Sequence, residues 1–269
     1  MQALDSDTVP ALVSENQKLE FPVPQVLGSR LGAKLRYWWC WGAASVMLLV
    51  VGAPSLIVLW LINQPRKLYP IALWGARTWL KACGSRVVVR GLENLDPETQ
   101  YVFASNHRSY LDTATLFAYT GKRMGLVAKK ELLKVPVIGQ GMGFVNIIAI
   151  DRSNPERALH SMEKAREVMR DGYSFGVFVE GTRAMPGELL PFKKGAFHLA
   201  VQTQAPIVPV AIKNTDALMG KRNSFLYPGE IELVILSPIA TAGQTTEDVL
   251  DLLIATRQAI AGELSEPPA

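Results

Sequence analysis

Short apolar runs recur from residue 86 to residue 237, and polar turns separate them. RVVVR, YVFAS, RMGLVA, FVNIIAI, FGVFVE, IVPVAI and IELVIL all read as strands. Several are apolar at every position, as strands buried on both faces are. Helical spacing alternates with them. The clearest helix is expected over Pro155–Arg170, with Asn154 as cap, Pro155 in the first turn and Gly172 as stop. Its apolar stripe is Ala158, Leu159, Met162, Ala165 and Met169. Another helix is expected over about 246–264. Alternating strands and helices predict an α/β fold, a central mostly parallel sheet flanked by helices. The proline in IVPVAI predicts an edge strand or a bulge.

The region before residue 86 has a different texture. Residues 37–65, YWWCWGAASVMLLVVGAPSLIVLWLINQP, contain no charge. About 20 apolar helical residues span a bilayer core, so this run is long enough. Trp38, Trp39 and Trp41 lie near one end and Trp60 near the other, as interfacial anchors would. Gly52 and Pro54 fall mid-run and could break it into two short helices dipping into one leaflet. Basic residues flank both sides, which fits a hairpin somewhat better than a single span. LYPIALWGARTWLKAC reads as a following amphipathic helix. The expected division is a mobile tail over 1–29, membrane-anchoring helices over 30–85 and an α/β domain over 86–264.

Composition agrees with this N-terminal membrane-associated section. Charged residues make up 19% of the 269-residue chain, against roughly 25% in ordinary soluble domains. Mean hydropathy is +0.15. The net charge of +4 suits an anionic membrane surface. It is too small and scattered to indicate nucleic acid, and no nucleic-acid motif is recognisable. Cys40 and Cys83 match no metal spacing. A reducing, cytoplasm-facing globular part fits them.

Three polar turns follow strand-like runs. The first, NHRSYLD, holds His107 and, five residues on, Asp112. Ser109 and Asp112 could form a capping-box-like helix start, leaving His107 an ordinary loop residue. The same spacing also lets the carboxylate take the proton-bearing ring nitrogen, leaving the other nitrogen as a base. The second turn, after GFVNIIAI, is Asp151-Arg152. The third, in FGVFVEGTR, is Glu180, Gly181, Thr182 and Arg183. Gly181 permits close backbone approach, and Thr182 and Arg183 supply donors that suit a phosphate. Each of these two turns could also be an ordinary solvated turn.

Two motif matches are set aside. GYSFG (172–176) has a nucleophile-elbow pattern but follows a helix and opens a strand, the reverse of the required order. GQGMG (139–143) precedes a strand and lacks the Lys-Ser/Thr end of a phosphate loop. His160 and His198 have no ligand partner at zinc spacing and read as structural. No metal site is expected.

Taken together, NHRSYLD, GFVNIIAIDR, FVEGTR and IVPVAI, in that order, resemble the 1-acylglycerol-3-phosphate acyltransferase family of lysophospholipid acyltransferases. The similarity covers residues 86–237 and the apolar section before them. The resemblance implies transfer of a fatty acyl group from acyl-CoA or acyl-carrier protein to lysophosphatidic acid at a phospholipid membrane, with the active site facing the cytoplasm. It implies His107 as general base and Asp112 as its orienting partner. It implies Lys129 near the thioester, with Lys130 as rival. Arg152 and the turn of Glu180, Gly181, Thr182 and Arg183 would hold the acceptor phosphate. The thioester is already activated, so no cofactor is expected. Glycerol-3-phosphate or another lysolipid is the alternative acceptor, and a non-catalytic lipid-binding protein the alternative outside enzymes.

Overall fold

The computed structural model describes residues 17–18, 28–150 and 155–266, and the side chains of 17, 18, 129, 150 and 155–162 lie outside that description. Seven strands make the main sheet: β1 (Ser85–Arg90), β2 (Val102–Ser105), β3 (Met124–Lys129), β4 (Ile147–Ile150), β5 (Ser174–Phe178), β6 (Ile207–Lys213) and β7 (Gly229–Ile235). Their order is β1-β7-β6-β2-β5-β3-β4. Every neighbouring pair is parallel except β6 and β7. Five strands, β6 through β4, therefore run one way, and their C-terminal ends share one edge. The sheet is mostly parallel, as the texture predicted. Every residue of β2 and β6 is buried, which explains their unbroken apolar runs.

Two departures from the strand expectations have local causes. FVNIIAI is strand only at Ile147–Ile150, because Asn146 adopts a left-handed φ of 57° after a 3-10 turn over Met142–Val145. Asparagine tolerates that region better than its neighbours would. Pro209 lies in an interior strand, so the edge expectation fails and the bulge holds. Val210 pairs with Ile235, whereas Ile207, three residues earlier, pairs with Ile239, four residues later. The one-residue slip falls opposite the proline, which has no N–H to give.

Helices cover both faces. One face carries α1 (Arg30–Leu61), α2 (Leu68–Ala82) and α3 (Leu111–Tyr119), joined in one core through Cys40, Leu59, Leu68, Leu80, Leu111 and Leu116. The other carries α4 (Pro155–Arg170), α5 (Gly195–Thr203) and, later in the chain, α7 (Val249–Ser265), packed through Ala165, Phe197, Leu199 and Leu253. A short helix, α6 (Thr215–Met219), follows β6. The α4 bounds match the caps read from the sequence, and Gly172 has the left-handed φ of a stop, 84°. Asn154 lies outside the described residues.

The apolar N-terminal run is one helix rather than a broken pair. Ser29 caps it, its Oγ accepting from Gly32 N at 3.1 Å. Pro54 offers no N–H, and its ring crowds the carbonyl of Val50, four residues back. The helix accommodates this by widening into π turns over Leu48–Gly52, where Ala53 N donates to Leu48 O. By length and composition α1 could cross a membrane.

A helical hairpin does exist, but between α1 and α2. Trp39 Nε1 donates to Ala82 O at 3.1 Å, and Trp79 Nε1 to Cys40 O at 3.0 Å. Cys40 and Cys83, both buried thiols, bring their Sγ atoms to 2.6 Å. The tail expected over 1–29 lies almost wholly outside the described residues. Within it, Gln17–Lys18 pair antiparallel with Glu188–Leu189.

Candidate active site

The site is built at the shared C-terminal edge, where ligand crevices form in α/β sheets. β2 ends at Ser105, and Asn106 clamps the chain to β6. Its Nδ2 donates to Ile212 O at 3.0 Å, and its Oδ1 accepts from Ile212 N at 2.8 Å. The next residue, His107, is therefore held where the strand stops.

His107 Nδ1 lies 2.9 Å from Asp112 Oδ2. An ionised carboxylate only accepts, so Nδ1 is the donor in this pair. The imidazole stacks on Phe178 at the end of β5, with centroids 4.0 Å apart and planes 16° from parallel. Its side chain is 16% exposed. The ring is thus held in position by Asp112 and in plane by Phe178.

Asp112 lies in the first turn of α3 and is fully buried. The same Oδ2 also accepts from Arg108 N at 2.6 Å and Ser109 N at 2.7 Å. Ser109 Oγ accepts from Leu111 N at 3.2 Å and donates to Met219 O at 2.8 Å. The helix-start reading and the dyad reading are therefore one arrangement. A single carboxylate oxygen stabilises the turn and orients the imidazole.

The third turn follows β5, the sheet neighbour of β2, so it lies beside the first. Ala184 N donates to His107 O at 2.8 Å and ties the two together. Gly181 has φ 71°, a left-handed value that suits glycine. Thr182 is exposed at the turn. The guanidinium carbon of Arg183 sits 3.8 Å from the centroid of the Tyr110 ring.

Glu180 faces inward, away from the exposed Thr182. It is 2% exposed. Oε1 accepts from His107 N and Oε2 from Leu190 N, both at 2.7 Å. Both carboxylate oxygens are thus engaged by backbone amides of the protein itself. Burial pushes its carboxyl up to about 7, although those amides and the Arg108 charge pull it down.

Lys129 ends β3 at the same sheet edge, and its side chain lies outside the described residues, as does Arg152 altogether. Lys130 is exposed in the 3-10 turn that follows. The set-aside motifs have structural roles. Ser174 of GYSFG opens β5 and accepts from Tyr101 N at 3.1 Å. In GQGMG, a Cβ on Gly139 would come within 2.2 Å of Leu133 O, so close packing requires the glycine. His198 lies on α5, and the His160 side chain is outside the described residues. Among the described residues no cluster of metal-ligating side chains occurs.

Sequence reading missed three members. Phe178 is one, and its place at the end of the FGVFVEGTR strand was a usable signal. Asp216 on α6 is another: its Oδ2 accepts from the buried Arg108 Nη1 at 3.4 Å, and Arg108 Nη2 donates to Glu188 O at 3.3 Å. No local signal joins residues 108 positions apart. The third is an apolar cavity of about 320 Å³ between α1, α2 and residues 137–147, lined by Met47, Val51, Leu56, Ile71, Val137 and Met142 among others.

The fold is a mostly parallel α/β sheet with flanking helices, and the model of the family described as Acyltransferase matches residues 86–213. The chain is 39% identical over 184 residues to an uncharacterized acyltransferase of Schizosaccharomyces pombe, covering 67% of this chain and 66% of that protein. It is 38% identical over 179 residues to the 1-acyl-sn-glycerol-3-phosphate acyltransferase alpha of Mus musculus, covering 66% of this chain and 63% of the other. The chain thus spans just under two thirds of the length of these curated relatives. The crystal structure of the 1-acyl-sn-glycerophosphate (LPA) acyltransferase PlsC from Thermotoga maritima superposes with a TM-score of 0.75 at 25% identity, over 89% of this chain and 98% of that one. Over these residues the chain is similar to proteins named 1-acyl-sn-glycerol-3-phosphate acyltransferase.

Proposed function

We propose that the protein moves a fatty acyl group from an acyl thioester, acyl-CoA or acyl-carrier protein, to the free hydroxyl of lysophosphatidic acid, giving phosphatidic acid. The observation that carries this reading is the His107–Asp112 pair, with Nδ1 held at 2.9 Å and Nε2 left as a base. Nε2 takes the hydroxyl proton as that oxygen attacks the thioester carbonyl. The C–S bond then breaks, and the imidazolium returns the proton to the leaving thiolate. The Asp112 carboxylate favours the imidazolium formed midway. Arg183 and Thr182 receive the acceptor phosphate, joined by Arg152. Lys129 serves the thioester oxygen as charge develops there. The relatives named for this reaction support the assignment, and the apolar cavity is chemically suited to an acyl chain.

The reading includes a membrane seat on the cytoplasmic side. The domain touches α1 along its length: Leu226 N donates to Ala33 O at 3.0 Å, a Cβ on Gly52 would lie 3.4 Å from Val137, and Leu59 is buried. An upright span would drag this domain into hydrocarbon. We therefore place α1 along the membrane surface, with exposed residues such as Leu49, Val50 and Trp60 in lipid.

The test is an acceptor panel with purified protein, following thiol release and identifying the lipid by mass spectrometry. Lysophosphatidic acid is expected to give phosphatidic acid, ahead of glycerol-3-phosphate and other lysolipids. His107→Ala is expected to lower the rate about 10²–10⁴-fold. Activity near wild type in that variant would sink the mechanism.

A further inference from the structure

Tyr110 is the one aromatic residue of NHRSYLD, and nothing in the reaction above uses it. The residue is 46% exposed, too open for core packing to explain it. Yet it is engaged on two sides. The Arg183 guanidinium carbon lies 3.8 Å from its centroid. Trp41 of α1 meets it edge-on, 5.3 Å away at 84°. Trp41 in turn leans on Trp79 of α2 at 6.1 Å.

The backbones on either side of this stack are pinned. Ser109 N donates to Asp112 Oδ2, and Leu111 N to Ser109 Oγ, which hold Tyr110 between them. Lys221 Nζ donates to the Arg183 carbonyl, and Ala184 N to His107 O. What the backbone leaves undecided is the direction of the Arg183 side chain, which has large rotamer freedom. An aromatic face against the guanidinium plane restricts that freedom. Stacking uses the π face and leaves the N–H edge to donate to phosphate oxygens.

We propose that Tyr110 is a positioning residue for the acceptor phosphate: its ring holds the Arg183 guanidinium, and Trp41 transmits the seat of α1 to that ring. This rests on the reading of the site as a lysophosphatidic acid acyltransferase. It makes affinity for the acceptor depend on how the membrane-facing helix is docked.

The test compares the full chain with its Tyr110→Leu, Tyr110→Phe and Trp41→Leu variants. Rates are measured against lysophosphatidic acid and against acyl-CoA separately. Tyr110→Leu keeps apolar bulk but removes the ring. It is expected to raise KM for lysophosphatidic acid about tenfold, as a cation–π contact of ordinary strength would. Its kcat stays within about twofold and KM for acyl-CoA is unchanged. Tyr110→Phe stays close to wild type. Trp41→Leu gives about a two- to threefold rise, less than additive with Tyr110→Leu. In an Arg183→Ala background the Tyr110→Leu step adds nothing. An unchanged acceptor KM in Tyr110→Leu, or equal losses for both substrates, overturns the proposal. Isothermal titration with lysophosphatidic acid separates it from the reaction itself. A wild type that binds this lipid without turnover removes the reaction reading, while the variant-to-wild-type Kd ratio still decides Tyr110. A wild type that does not bind it overturns both.

Discussion

The turns after β2 and β5 leave adjacent parallel strands in the same direction, and each carries one buried carboxylate. Asp112 collects three N–H donors on one oxygen, from His107 Nδ1 and from Arg108 and Ser109 of its own turn. Glu180 takes one donor on each oxygen, from two separate segments, His107 N and Leu190 N. Asp112 lies at a helix start, where the helix dipole favours a negative charge. Burial instead dominates at Glu180 and pushes its carboxyl up to about 7. Similar side chains, one seven residues past its strand end and the other two, thus acquire different work. One orients a ring, and the other ties loops together. The difference lies in which donors the surrounding chain presents.

Asp112→Asn should break the comparison most severely. The amide oxygen can still accept from the imidazole and the turn, but the charge opposing the imidazolium is lost. A fall in kcat of about 10²–10⁴-fold with little loss of melting temperature is expected, measured by thiol release and thermal unfolding. A rate like wild type would leave Asp112 as a helix cap alone. Arg183→Ala acts on the other turn. It should raise the acceptor KM about 10–100-fold, the size of one or two charged hydrogen bonds, with a smaller effect on kcat. An acceptor KM within about twofold of wild type would remove Arg183 from phosphate binding.

Glu180→Gln sharpens the contrast through pH. The folded carboxyl sits at about 7, above its ordinary 4.5, so the folded state binds the extra proton between those values. Stability therefore falls as pH rises from about 4.5 to 7 and levels off above. The wild-type melting temperature should drop across that window, and the glutamine variant should show a shallower slope. The variant should also lose about 1–3 kcal/mol overall, because its NH₂ must face a backbone N–H. Equal slopes would mean that Glu180 is ionised throughout.

Much of this was legible from local pattern. Unbroken apolar runs bounded by polar turns located the strands, and caps set α4 at Pro155–Arg170. His107 and Asp112 were found together because a strand end and the next helical turn are neighbours in sequence and in space. The inward direction of Glu180 was not legible, because a motif shows that a carboxylate is present but not which way it faces. Gly52 and Pro54 marked a real irregularity, but only the helix geometry showed a π widening in place of a break.

The sequence by itself determined the elements, the α/β class, the apolar N-terminal run and the polar turns that follow β2 and β5. These depend on periodicity and on contacts within a few residues. Tertiary structure decided strand order, the reversed direction of β1 and β7, the approach of Cys40 to Cys83 and the grip of Asp216 on Arg108. It also decided the contacts of Tyr110 with Trp41, edge-on, and with the Arg183 guanidinium. Those contacts join positions from about 40 to more than 100 residues apart. No spacing in the chain encodes them, because side chains that distant meet only when burial of the whole core brings their elements together.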